Sequence, residues 1–242
     1  MKIDNTLYLD YQATTPVDPQ VFEEMRPYFN QYFGNPHSSD HVFGWRASQA
    51  VEQVQEHVAE LIGADANEII FTSGATESNN LALFGAVKGE PKGRRRILVS
   101  AIEHKCVLAA GHALAQEEGI AFETIPVDRD GFLDLPALEK RLEDDVLLVS
   151  VMWVNNEIGT LQDIKAIGEL VRSYGAFFHC DAAQASLAVD IDVLKSNVDL
   201  LSLSAHKLYG PKGIGALFVA QDIAEQIRPI IHGGDQQGGL RS

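Results

Sequence analysis

Ser204-Ala205-His206-Lys207-Leu208-Tyr209-Gly210-Pro211-Lys212-Gly213-Ile214-Gly215 follows the apolar run Val198-Asp199-Leu200-Leu201-Ser202-Leu203. Leucine and valine dominate that run, which predicts a buried strand. Gly210, Pro211, Gly213 and Gly215 then break any helix and predict a tight turn. Lys207 therefore stands where a rigid strand hands over to a constrained loop. An amine held there becomes a nucleophile toward a carbonyl if burial lowers its pKa, and Ser204 and His206 beside it can hydrogen-bond a phosphate. The same residues also read as a surface lysine in a Gly-rich turn, so the flanking chain has to decide.

Outward from this stretch, strands and helices alternate. Short apolar runs predict strands over Glu68–Thr72, Ile97–Ala101, Ala121–Ile125, Val146–Val151 and Ala176–Cys180. Helical spacing predicts helices from Pro16 and Pro19 through Phe29, over Trp45–Ile62 with Gly63 as the stop, and over Ala75–Val87. Others run from the strand at Ile97 through Gln116, over Leu135–Leu142, and over Ile164–Val171, closed by Gly175. Leu147-Leu148-Val149 and Leu200-Leu201 are apolar on consecutive residues, as strands covered on both faces are. The fold class is α/β, with a mainly parallel mixed sheet sandwiched by helices. Ligands of such sheets sit at the C-terminal ends of the strands.

The composition excludes several functions. The net charge of −15 over 242 residues argues against nucleic acid or an anionic membrane as partner. The run Lys92-Gly93-Arg94-Arg95-Arg96 reads as a solvated turn, with a docking patch as the alternative. Met1-Lys2-Ile3-Asp4-Asn5 leads into no apolar signal region, and no apolar stretch approaches the ~20 residues of a membrane helix. Cys106 and Cys180 have no disulfide or metal-ligand spacing, so no metal is expected and a reducing cytoplasm fits. Both read as small buried hydrophobes, although a helix start near Cys106 can lower its pKa.

Four strand ends carry candidate chemistry. Ser73-Gly74-Ala75-Thr76-Glu77-Ser78 opens a helix with small residues and hydroxyls, and forms either a phosphate cup or a plain Ser/Thr cap. His104 offers a ring for stacking or proton transfer, or is polar surface. Asn155 offers an amide to orient a ligand. Asp181, directly after an apolar strand, is expensive to bury unless a cation or hydrogen donor meets it. Gln184, about one helical turn on, can face the same ligand. A phosphate cup, a stacking ring, a buried acid and a loop lysine together suit pyridoxal 5'-phosphate, whose ring is an electron sink when its nitrogen is protonated.

The ordered blocks Leu9–Pro16, Phe33-Gly34-Asn35-Pro36, Phe71–Leu81, Glu103-His104-Lys105, Val154–Gly159 and Ser204–Lys207 carry a resemblance over nearly the whole sequence. The chain resembles the cysteine desulfurases of iron–sulfur cluster assembly, among the class V aminotransferase-like, fold type I pyridoxal-phosphate enzymes. Glu103-His104-Lys105 and Gly210–Gly215 are more similar to the housekeeping and nitrogen-fixation branch than to the oxidative-stress branch. The resemblance implies that Lys207 is the Schiff-base lysine and Asp181 the partner of the pyridine nitrogen. Gln184 would contact the ring hydroxyl, and His104 would stack on the ring and help move protons. Ala75, Thr76, Ser204 and His206 would hold the phosphate, and Asn155 would face the substrate carboxylate and ring hydroxyl. It further implies L-cysteine as substrate, a homodimer, and an iron–sulfur scaffold or sulfur-acceptor protein as partner. Residues 1–15 would belong with the family's small-domain side and 16–242 with the cofactor-binding large domain.

The departures shape what is expected of this chain. Trp153 stands where the family often has histidine, and Cys180 where an aliphatic residue is usual. The segment His232–Ser242 resembles the family's Gly-rich motif without its Glu-Arg pair. The C-terminal small domain, with the sulfur-accepting cysteine and a carboxylate-binding arginine, is not in this sequence. Strand alternation turns Cys180 away from the face of Asp181, and helical rotation is expected to carry Cys106 away from His104. The chain is therefore expected to bind the cofactor without completing desulfuration. Rival readings are another class V activity, such as a selenocysteine lyase or aminotransferase, and a non-catalytic binding protein.

Overall fold

Local signals set most element boundaries in the computed structural model, which describes residues 2–90 and 93–242. A short antiparallel pair, β1 (Lys2–Ile3) and β2 (Thr6–Leu7), precedes α1 (Pro19–Met25), a 3-10 turn over Arg26–Phe29, and α2 (Val42–Ile62). The imidazole of His41 accepts the Gly44 N–H, so α2 starts three residues before the expected Trp45. The chain then alternates through β3 (Ile69–Thr72), α3 (Ala75–Gly89), β4 (Arg96–Ser100), α4 (Lys105–Glu117), β5 (Ala121–Ile125), α5 (Leu135–Glu139) and β6 (Val146–Ser150). It ends through α6 (Ile164–Ser173), β7 (Phe177–Asp181), β8 (Leu200–Ser204) and β9 (Gly215–Val219).

Seven strands form one sheet in the order β3-β9-β8-β7-β6-β4-β5. β9 is antiparallel to both neighbours, and the other pairs are parallel. β9 corrects the expectation that Gly215 only breaks the chain. Gly215 pairs with both Thr72 and Ser204, and a Cβ there would lie 2.5 Å from the Leu203 carbonyl oxygen and 2.7 Å from the Gly74 Cα. Only glycine lets the three strands approach this closely.

Alternation along the strands feeds two buried layers. Leu217 and Val219 pack with Leu81, Ala82 and Ala86 of α3 and Val107 and Leu114 of α4. Ala216, Phe218, Phe178 and Cys180 pack on the other face with Ile62 of α2, Leu138 of α5 and Ile164, Ile167 and Val171 of α6. The layers are helix, sheet, helix, as the apolar runs implied.

Two surface features differ from expectation. Arg96 is not a solvated turn residue: it bridges Asp145 at 2.8 Å, Glu143 at 3.2 Å and Glu123 at 3.4 Å, while Arg94 donates to the Val146 carbonyl. The docking-patch alternative loses these guanidinium groups to the fold, and Lys92 lies outside the described residues. At the sheet edge, Gln237 accepts the Phe71 N–H at 2.6 Å and donates to the Phe71 carbonyl at 3.0 Å. It imitates a ladder partner for β3, which a glutamate at this position could not do, because a carboxylate has no N–H to donate.

One polar row crosses the sheet interior. The imidazole of His179 bridges the hydroxyls of Ser150 at 2.8 Å and Ser202 at 3.0 Å, joining β6, β7 and β8. Burial lowers its pKa from 6.5 to about 3. Between those values the unfolded chain binds the proton and the folded chain does not. Stability is therefore fully present above pH 6.5 and is lost as pH falls toward 3, by up to about 5 kcal/mol. Urea midpoints from pH 7 to pH 4 should fall more steeply for wild type than for His179→Gln. That comparison separates His179 from Glu103, Asp181 and Asp199, whose burial-raised pKa values act in the opposite sense. Parallel slopes would refute the assignment.

Candidate active site

The C-terminal ends of β3, β7 and β8 open on one cavity of about 730 Å³. β3 leads through Gly74, at φ 144° and ψ 177°, into α3. That conformation belongs almost to glycine alone, and it turns the first residues of α3 into the cavity wall. Ser73, Ala75, Thr76, Ser204 and His206 line this end. Unpaired N–H groups of a helix start favour an anion there. Glu77 beside them is pushed up by burial, but hydrogen bonds from Arg241 at 2.8 Å and the Ser73 N–H hold it below the usual carboxylate range.

Lys207 closes the 3-10 turn Ala205–Lys207 that follows β8. Its Nζ donates to the Ala13 carbonyl at 3.0 Å and to that of Gln12. Burial lowers its pKa, and the charges of Asp181 and Asp10 resist that. The N-terminal segment is tied in closely: the His206 Nδ1 lies 3.0 Å from the Thr14 hydroxyl, the Thr15 hydroxyl donates to the His206 carbonyl, and the Tyr209 N–H donates to Thr15. Sequence spacing gave no sign that the Gln12 and Ala13 carbonyls would receive the lysine.

Asp181 ends β7, buried yet on the cavity wall. One carboxylate oxygen accepts the Ala183 N–H at 3.0 Å, and the other accepts Nδ2 of Asn79 at 2.7 Å. Burial raises its pKa, opposed by those bonds and by His104 and Lys207. Gln184 also lines the cavity and donates to the Gln12 carbonyl at 2.8 Å. Cys180 turns into the opposite core layer.

Two expectations need correction. Cys106 is not carried away from His104: its Sγ lies 3.0 Å from His104 Nδ1, and it lines the cavity. Its pKa is raised by burial, not lowered by the helix start, although hydrogen bonds from Asn79 and Thr76 pull it back. Asn155 does not line the cavity. Its Nδ2 donates to the Ile102 carbonyl at 2.9 Å and approaches Met152 Sδ at 3.3 Å, while its Oδ1 accepts the N–H groups of Glu157 and Ile158. Its amide joins two loops of the wall. Asn79, which the sequence reading passed over, was findable: it lies one helical turn beyond Thr76 and shares its face.

The arrangement defines a class. An anion cup, a half-buried lysine and a buried carboxylate facing one cavity at the strand ends form the fold type I pyridoxal-phosphate architecture. The sequence pattern of the Aminotransferase class-V family matches residues 7–238, and the chain belongs to that family. It is 52% identical over 241 residues to the cysteine desulfurase IscS of Rickettsia massiliae, covering 100% of this chain and 58% of that protein. The R. rickettsii IscS is 53% identical over 236 residues, with 98% of this chain and 57% of that protein covered. Among solved structures, a NifS-like protein superposes with a TM-score of 0.92 at 40% identity, over 96% of this chain and 63% of that one. SspA in complex with cysteine superposes at 0.89 and 42% identity, over 98% and 68%. The chain thus spans just under three-fifths of the length of the curated relatives.

The family uses pyridoxal phosphate, and the residues present fit it. The α3 start suits a dianion. Asp181, buried with only neutral N–H groups hydrogen-bonded to it, suits a protonated ring nitrogen. Lys207 has the lowered pKa an amine needs to meet an aldehyde.

Proposed function

We propose that this chain is the cofactor-binding part of a pyridoxal-phosphate-dependent cysteine desulfurase, which converts L-cysteine to L-alanine and retains the sulfur as a persulfide. The observation that carries the reading is that Lys207, Asp181 and the start of α3 face one cavity. The relatives named cysteine desulfurase support the substrate class. In this reading residues 16–242 form the large domain and residues 1–15 belong with the small-domain side. The protein works in the cytoplasm as a homodimer that passes sulfur to an iron–sulfur scaffold or other acceptor protein.

When bound, the cofactor supplies an aldehyde for amines and a protonated ring that draws electrons from the substrate Cα. The residues of this chain do the remainder. Ala75, Thr76, Ser204 and His206 would hold the phosphate at the helix start. Asp181 would keep the proton on the ring nitrogen, Gln184 would meet the ring hydroxyl, and His104 would stack on the ring. Lys207 would bind the aldehyde and hold or move a proton at its Nζ. Asn155 fixes the wall behind them. Its engaged amide argues for that role over substrate contact.

The test is exchange of the L-cysteine Cα proton with deuterated solvent on the pyridoxal-phosphate-loaded chain, with alanine and sulfide followed under a reductant. The reading expects cofactor-dependent exchange without catalytic release of alanine and sulfide, because Cys106 is engaged with Asn79 and His104 and Cys180 lies in the opposite core layer. Alanine from L-selenocysteine alone, or amino transfer to a 2-oxo acid, would overturn it in favour of another class V activity.

A further inference from the structure

Asp181, Asn79, Cys106 and His104 come from β7, α3, the first turn of α4 and the residue that caps α4. Asn79 is fully buried, and both hydrogens of its Nδ2 are used: one on Asp181 Oδ2 at 2.7 Å and one on Cys106 Sγ at 3.2 Å. Its Oδ1 has no partner among the described residues. The fold leaves that oxygen unsatisfied because turning the amide over would set it against the Asp181 carboxylate. Cys106 Sγ in turn lies 3.0 Å from His104 Nδ1, which also accepts the Cys106 backbone N–H at 3.2 Å. A nitrogen that accepts an N–H carries no proton of its own, so neutral His104 is protonated on Nε2 and the thiol donates to Nδ1.

We propose that Asn79 and Cys106 are positioning residues, a continuous hydrogen-bonded line that ties the ionised state of Asp181 to the orientation of His104. This rests on the reading of Asp181 and His104 as cofactor residues. Asn79 favours the charged carboxylate by donating to it. The groups facing Asp181 are Lys207, His104, Glu103, Cys106 and Cys180. Glu103 is buried, and burial together with the nearby Asp181 charge holds its carboxyl well above the usual range. Asn79 is the one side-chain hydrogen-bond donor on Asp181 among the described residues. The line also assigns Cys106 to the Asp181 end of the cavity, where its thiol serves as a link and not as a sulfur acceptor.

The test uses the cofactor-free chain, with ¹³C-carboxyl aspartate and ¹⁵N-imidazole histidine labels read by NMR. Asn79→Leu should raise the Asp181 midpoint by about one to two pH units, and Asn79→Ser should raise it less. Cys106→Ala, which keeps the backbone N–H on Nδ1 but removes the thiol from it, should shift the His104 Nδ1 signal without protonating that nitrogen, and Cys106→Ser should restore the wild-type signals. An unmoved Asp181 midpoint in Asn79→Leu, or unchanged His104 nitrogens in Cys106→Ala, would overturn the proposal. Should Asn79→Leu not fold, the two Cys106 variants decide alone. Because both NMR measurements precede cofactor binding, a wild-type chain that behaves as stated but takes up no pyridoxal phosphate sinks the functional reading instead.

Discussion

Lys207→Ala is expected to abolish covalent retention of pyridoxal phosphate and to slow exchange of the L-cysteine Cα proton with solvent by roughly 10²–10⁴-fold. Borohydride reduction of the wild-type protein, followed by peptide mapping, should place the cofactor on Lys207, and the variant should release it on dialysis. The physical basis is local. Lys207 follows a fully buried strand and is held by the Gln12 and Ala13 carbonyls. Burial lowers its pKa, so more of the free amine is present near neutral pH than in an exposed lysine. Lys212 also lines the cavity, and Lys105 begins α4 beside it. A reduced cofactor found on either of these would overturn the assignment.

Asp181→Asn should leave cofactor binding largely in place and slow exchange of the substrate Cα proton with deuterated solvent by about 10³-fold. An ion pair at about 4 Å in an effective dielectric of 20 contributes about 4 kcal/mol, which is the origin of that factor. The carboxylate is buried and accepts two N–H groups, so nothing but its charge need change when the shape is kept. The replacement also sets an amide N–H against Asn79. That residue can turn its unpartnered Oδ1 to receive it, so the fold should survive. Equal exchange rates in the two proteins would remove Asp181 from the proposed role.

How much of this was legible in the sequence varied with the range of the cause. β5 was bounded to the residue, and α3, β6 and β7 to within two, because a 3.6- or 2-residue apolar period is a local property. α5 stopped three residues short of expectation, at Glu139, because the last turns of a short helix depend on what they pack against. β9 was hidden because its first residue is a glycine needed for close strand approach, and glycine by itself reads as a breaker. The basic run misled for a related reason: the carboxylates that take up Arg96 stand at Glu123, Glu143 and Asp145, far along the chain.

The sequence by itself determined the α/β class, the family, and the candidacy of the start of α3 as a phosphate cup and of Lys207 and Asp181 as its companions. Each of these depends on a residue type at a strand end, which order along the chain reveals. The tertiary structure alone decided which faces meet. The expected rotation of Cys106 away from His104 treated both as members of one helix. His104 is instead the capping residue, at φ −57° and ψ 146°, so its ring folds back over the first turn and lands on Cys106. In the same way, Asn155 spends its amide on two loops, Lys207 finds carbonyls contributed by residues 12 and 13, and Asn79 spans from α3 to β7. Hydrogen bonds of this kind are fixed by the direction of each donor after packing, and direction across long sequence separations is not written in the spacing of residues along the chain.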